Sequence, residues 1–150
     1  VIAPDELEAR VRTICLALPG VTERRSHGAP AFFAGKQFVM LWPRGHHDHD
    51  FPHMWCAAAE GVQDSFVDMA PGRFFRPPYV GSRGWLGVRL DGEVDWAEVE
   101  MLCEDAWRVV APRTMLARYD SGGDTGVGPR NDVPSLGRLG SSGESAGPKL

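Results

Sequence analysis

Residues 94–112 read VDWAEVEMLCEDAWRVVAP, and the spacing of their apolar positions decides the fold class. Trp96, Val99, Leu102, Cys103, Ala106, Trp107 and Val110 recur at intervals of three and four, which puts them on one stripe of an α-helix. Asp95 followed by Glu98 is the pattern of a capping box, a helix start written into the sequence. Pro112 has no N–H to continue the ladder and interrupts the helix, after which residues 113–119 add one more helical turn.

Upstream of this helix the pattern changes to short apolar runs broken by turn residues. Residues 31–33 and 38–42 read as two strands joined by a tight hairpin at Gly35, and Pro43 ends the second of them. A polar loop over 44–53 leads to a third strand at 54–58, which completes a meander. Residues 5–18 carry Leu7, Val11, Ile14 and Leu18 at helical spacing, with Asp5 and Glu8 as a second capping box and Pro19-Gly20 as the stop. Val62, Phe66 and Met69 mark a short helix over 60–69, closed by Pro71-Gly72. Phe74-Phe75 and residues 85–90 are strands separated by a segment broken at Pro77, Pro78 and Gly81. Residues 22–28 read as a polar connection. Helices and antiparallel strands in this order give an α+β domain over residues 3–119.

From Ser121 onward Gly, Ser, Pro and Asp dominate, with too few aliphatic residues to offset the entropy of ordering the segment. Residues 120–150 are therefore expected to be a flexible tail. A formal charge of -4 supplies no global field for a polyanion, so nucleic-acid contact would have to rest on a local basic patch. No apolar run approaches the length of a membrane span and the N-terminus lacks the apolar core of a secretory signal, so a cytoplasmic protein with no membrane partner is expected. Cys15, Cys56 and Cys103 are isolated among apolar neighbours and read as buried structural thiols.

Three phrases carry a family resemblance: LALPGVTERRSHGAPAFFAGKQFVML at 16–41, PGRFFRPPYVGSRGWLGVRL at 71–90 and VDWAEVEMLCEDAWRVVAPRTM at 94–115. In this order the chain resembles the YjbR/MmcQ family over almost all of residues 5–118. The resemblance implies an antiparallel sheet with helices packed on one face, a frataxin-like layout described for the family as a double-wing DNA-binding fold. It brings no catalytic residues.

Two constellations are candidate sites. Arg73, Arg76 and Arg83 lie close together among Phe74, Phe75, Tyr79 and Trp85, and arginine beside exposed aromatics can grip phosphate and stack on bases. Lys36 on the first hairpin is the matching contact. With so few cations and a salt slope of about -0.9 per phosphate contact, DNA binding is expected to be weak and steeply salt-dependent. The competing reading has these aromatics in the core and the arginines as dispersed solubilising charges.

The second constellation is His46, His47, His49 and His53, whose imidazoles alternate with Asp48 and Asp50. Imidazole and carboxylate suit zinc, nickel or copper. Against a metal site stands the crowding of all these residues onto one loop, which equally describes a solvated polar turn. The five tryptophans read as core, with one or two available to line a small-ligand cleft. Ser26-His27 lacks a nucleophile elbow, and Gly122 to Gly126 lacks the strand, helix and Lys-Ser/Thr of a phosphate loop. A non-enzymatic protein without a cofactor is expected, contacting DNA through its arginine loop or, alternatively, a small ligand or metal through the histidine loop or an aromatic cleft.

Overall fold

The hairpin at Gly35 is the centre of a longer meander in the computed structural model, which describes residues 2–122. Strands β1 (Thr22–Ser26), β2 (Ala29–Ala34), β3 (Lys36–Trp42) and β4 (His53–Cys56) pair in sequence order, each antiparallel to the next. The chain then leaves the sheet, returns as the two-residue β5 (Phe74–Phe75), and completes it with β6 (Leu86–Arg89). β6 enters between β4 and β5, so the strand order is β1-β2-β3-β4-β6-β5.

Register assigns side chains to two faces, because partners across a ladder point the same way and neighbours along a strand point oppositely. Phe32, Val39, Cys56 and Leu86 are successive partners, as are Leu41, Met54, Val88 and Phe74, and all eight are buried. This face carries the helices α1 (Pro4–Leu16), α2 (Val62–Met69) and α3 (Trp96–Val110). Cys103 of α3 touches Cys15 of α1 and lies beside Cys56 of β4, and burial pushes the Cys56 and Cys103 thiols up. Phe66 of α2 meets Phe74 edge-on, with ring centroids 5.0 Å apart. The buried Trp107 indole N–H donates to the Pro19 carbonyl at 3.0 Å, tying α3 to the exit of α1.

Helices on one face of an antiparallel sheet are what the sequence implied. Asp95 caps α3 as expected, its carboxylate accepting from the Glu98 N–H. Two local readings need correction. α1 begins at Pro4 with Ala3 at its cap and no side-chain cap bond, because the fixed φ of Pro4 suits the first helical position. Asp5 instead pairs with Arg44, and Glu8 with Arg12 and Arg25. Residues 22–28 are not a mere connection. Thr22–Ser26 is an edge strand, joined to β2 by His27 (φ 53) and Gly28 (φ 83), the pair of positive φ angles that a two-residue hairpin turn requires.

Arg113 onward forms a separate unit that opens with α4 (Arg113–Ser121). The flexible tail expected over 120–150 falls, from residue 123, outside the described residues.

Candidate functional site

Arg73 precedes β5, Arg76 follows it, and Arg83 sits in a 3-10 turn at Val80–Arg83. Two of the three guanidinium groups are held in ion pairs. Arg73 is paired with Glu98 at the start of α3 and stacks on Phe74, while Arg76 is paired with Asp64 of α2 at 2.6 Å. Arg83 lies over Trp85, 5.5 Å from the ring centroid. Lys36 is exposed on β3, which β4 and β6 separate from β5, a spacing of about 14 Å at the usual distance between strands. Carboxylates from two helices therefore neutralise two members of the cationic patch anticipated from sequence.

Beside Arg73 a groove of about 340 Å³ runs between β6 and the first turn of α3, lined by Arg73, Arg89, Asp91, Glu93, Asp95 and Glu98. Its cations are already satisfied: Arg89 makes a two-pronged contact with Asp91 at 3.0 and 2.7 Å, which holds the Asp91 carboxyl below its ordinary value.

The sheet face opposite the helices is different in kind. Trp42, His53 and Arg89 are successive register partners, as are Met40, Trp55, Gly87 and Phe75. Phe75 folds its ring across Gly87, where a Cβ would overlap it, so only glycine lets this ring lie flat on the sheet. Two loops cover these rings. From the first, His46 packs edge-on against Trp42 at 4.6 Å and Trp55 at 5.5 Å, and His49 lies against Phe75 at 4.3 Å with the rings tilted by 36°. From the second, Tyr79 reaches Trp55 at 6.5 Å and His46 at 6.4 Å while remaining 72% exposed, which places it at the rim.

Four ring nitrogens in this cluster are buried without a hydrogen-bond partner among the described residues: Trp42 Nε1, Trp55 Nε1, His49 Nδ1 and His53 Nε2. Buried polar atoms are nearly always paired, and each orphan costs about 1–3 kcal/mol. His53 can be resolved further. Its Nδ1 lies 2.7 Å from the Phe51 carbonyl, an acceptor only, so Nδ1 carries the proton and Nε2 presents a lone pair. Burial lowers the His53 pKa to about 4, so the ring is neutral at pH 7. His46 is lowered as well, by burial and by His47. The cluster therefore presents two indole N–H donors and at least one imidazole acceptor among aromatic rings.

The four histidines of the loop do not form one metal set. A tight turn, closed by the His46 and His49 backbones bonding to each other at 2.8 and 2.9 Å, brings together His46, His47 and Asp48. His49 and His53 are directed away, toward Phe75, Phe51 and the tryptophans, because they follow the turn on the strand that returns to the sheet. Sequence reasoning allowed one or two tryptophans at a cleft without choosing them. The signal was the i, i+2 spacing of Met40 and Trp42, and of His53 and Trp55, which puts each pair on one face of its strand.

Comparison with known proteins bears on the fold and the family. No curated protein matches the chain. The crystal structure of Deinococcus radiodurans protein DR2400, a DUF419 domain, superposes with a TM-score of 0.57 at 16% identity, covering 75% of this chain and 85% of that one. At this identity the likeness speaks for the fold alone. The family model described as YjbR matches residues 16–109, from the end of α1 through nearly all of α3. That span includes β1 to β6 and both loops over the aromatic cluster, and the chain belongs to the YjbR family.

Proposed function

We propose that the chain is a non-enzymatic binding protein whose ligand is a small, neutral, planar heterocycle held in the pocket of Trp42, His46, His49, His53, Trp55 and Tyr79. One observation carries this reading: four buried ring nitrogens lack partners among the described residues, in a cluster that is otherwise aromatic. The aromatic walls suit a flat ligand, and the indole N–H groups with the His53 lone pair suit one bearing both acceptors and a donor. Neutral imidazoles remove the attraction that a strongly anionic ligand would need.

The test is a titration of the protein with adenine, uracil and nicotinamide, followed by the indole ¹H–¹⁵N resonances and by thermal denaturation. At least one of the three is expected to shift the Trp42 and Trp55 indole signals and to raise the melting temperature, as any ligand binding only the native state must. Trp55→Phe should abolish both effects. Indole signals unmoved by all three at millimolar concentration would remove the reading.

A second reading, weak contact with DNA through residues 73–83, is favoured by Arg83, which has aromatic company and no carboxylate partner among the described residues, and by the exposed Tyr79 beyond it. Surface ion pairs are worth about 0–1 kcal/mol, so Arg73 and Arg76 can exchange a carboxylate for a phosphate at small cost, but their neighbourhood exerts no net attraction. The salt dependence of duplex binding separates the cases. A slope of about -1 assigns the contact to Arg83 alone, and one near -3.6 requires all four cations.

A further inference from the structure

The turn at the mouth of the pocket carries a second kind of chemistry, which does not depend on the organic ligand. We propose that His46, His47 and Asp48 bind one divalent transition-metal ion, of the zinc, nickel and copper class. Their candidate ligand atoms all lie within 4.8 Å of one another. The His46 and His47 rings lie against each other with centroids 4.0 Å apart, and the Asp48 carboxylate reaches both, one oxygen 3.8 Å from His46 Nδ1 and the other 3.8 Å from His47 Nε2. Ligands around a tetrahedral ion with bonds of about 2.0–2.1 Å sit roughly 3.3 Å apart, so the three need to close by an ångström or so.

The residues are suited to that closure because only the outer two have to move. The His46 side chain is 10% exposed, and Trp42 and Trp55 fix its ring. His47 and Asp48 are 72% and 45% exposed and can swing inward. The base of the loop is rigid: Gly45, at φ 90, packs so closely on the Asp50 backbone that a Cβ would collide with it. The Asp48 N–H donates to His46 Nδ1 at 3.3 Å, a long bond that the ion would replace. Two imidazoles with one carboxylate favour zinc, nickel or copper over calcium or magnesium, which take oxygen ligands. Three protein ligands leave a fourth position for water or a small anion.

Calorimetry on the untagged protein with zinc, nickel, copper and calcium chlorides tests the assignment. The expected result is one ion per chain for at least one of the three transition metals, no heat with calcium, and chemical-shift changes centred on the His46 and His47 rings. His47→Ala and Asp48→Asn, both at exposed positions, should each weaken binding about tenfold or more, whereas His27→Ala in the β1–β2 turn should change it less than twofold. Absence of heat with all three transition metals overturns the proposal, as does wild-type affinity in His47→Ala or Asp48→Asn. His53→Phe, which removes the imidazole acceptor of the organic site and whose ring contacts include none of the three ligand residues, should leave metal affinity intact, so the two readings can fail separately.

Discussion

The two faces of the sheet are built from the same strands and solve opposite problems. On the helix-bearing face Phe32, Leu41, Met54 and Leu86 meet the apolar stripes of α1 and α3, and the Trp107 indole has its carbonyl. On the loop-covered face Trp42, His53 and Trp55 are as closely surrounded by other rings, yet four ring nitrogens there find no acceptor or donor among the described residues. Burial alone does not separate the faces, because His53 is 0% exposed, like Phe32. Hydrogen-bond satisfaction does, and it is the ground on which we place the proposed binding on the second face.

The largest test of that contrast is Phe32→Ala. It empties a fully buried position under the helices and should cost about 3–5 kcal/mol in chemical denaturation, where truncation of large aromatic side chains falls. A loss below about 1 kcal/mol would mean that this face is not the stability core.

Next in size is acidification, which acts on the other face. His53 titrates near 4 in the folded chain against 6.5 when free, so the unfolded chain binds its proton first. The stability of the neutral buried ring is complete above pH 6.5 and is lost as pH falls toward 4, by about 3 kcal/mol in full. His46 acts in the same direction. Denaturation midpoints measured across that window should fall in the wild type and be flatter in His53→Phe. Equal slopes would show that His53 is not the group responsible.

Gly87→Ala asks whether the flat seating of Phe75 matters. The added methyl must displace that ring, and overpacking of this kind costs about 1–3 kcal/mol. The melting temperature should drop and the His49–Phe75 contact should loosen, visible as a shift of the His49 ring protons.

The smallest expected effect is the most discriminating. Trp55→Phe removes an orphaned donor along with some volume, so its stability should lie within about 1 kcal/mol of wild type, far less than a buried tryptophan otherwise commands. A loss above about 3 kcal/mol would show that the indole N–H is satisfied inside the fold.

What could be read from the sequence was whatever a local period encodes. α3 was legible because its stripe and its Asp95 cap both lie within nineteen consecutive residues, and the β2–β3 hairpin because Gly35 separates two apolar runs. β1 was hidden because an edge strand reading Thr-Glu-Arg-Arg-Ser has no apolar alternation to betray it. The insertion of β6 between β4 and β5 is set by long-range pairing that leaves no local mark. The same limit governed the sites. Arg73, Arg76 and Arg83 are close in sequence, but Glu98 and Asp64, which neutralise two of them, are 25 and 12 residues away. The histidine loop was visible as composition, yet only the turn geometry shows that Asp48, and not His49 or His53, completes a set with His46 and His47.

The three cysteines give the helix–sheet interface a built-in clock. Cys15, Cys56 and Cys103 belong to α1, β4 and α3, and all are shielded, so an alkylating reagent can reach them only when those elements part. The rate at which the thiols are consumed then reads how often the domain opens, with no probe added. Comparing the three sites distinguishes the lifting of one helix from the opening of the whole.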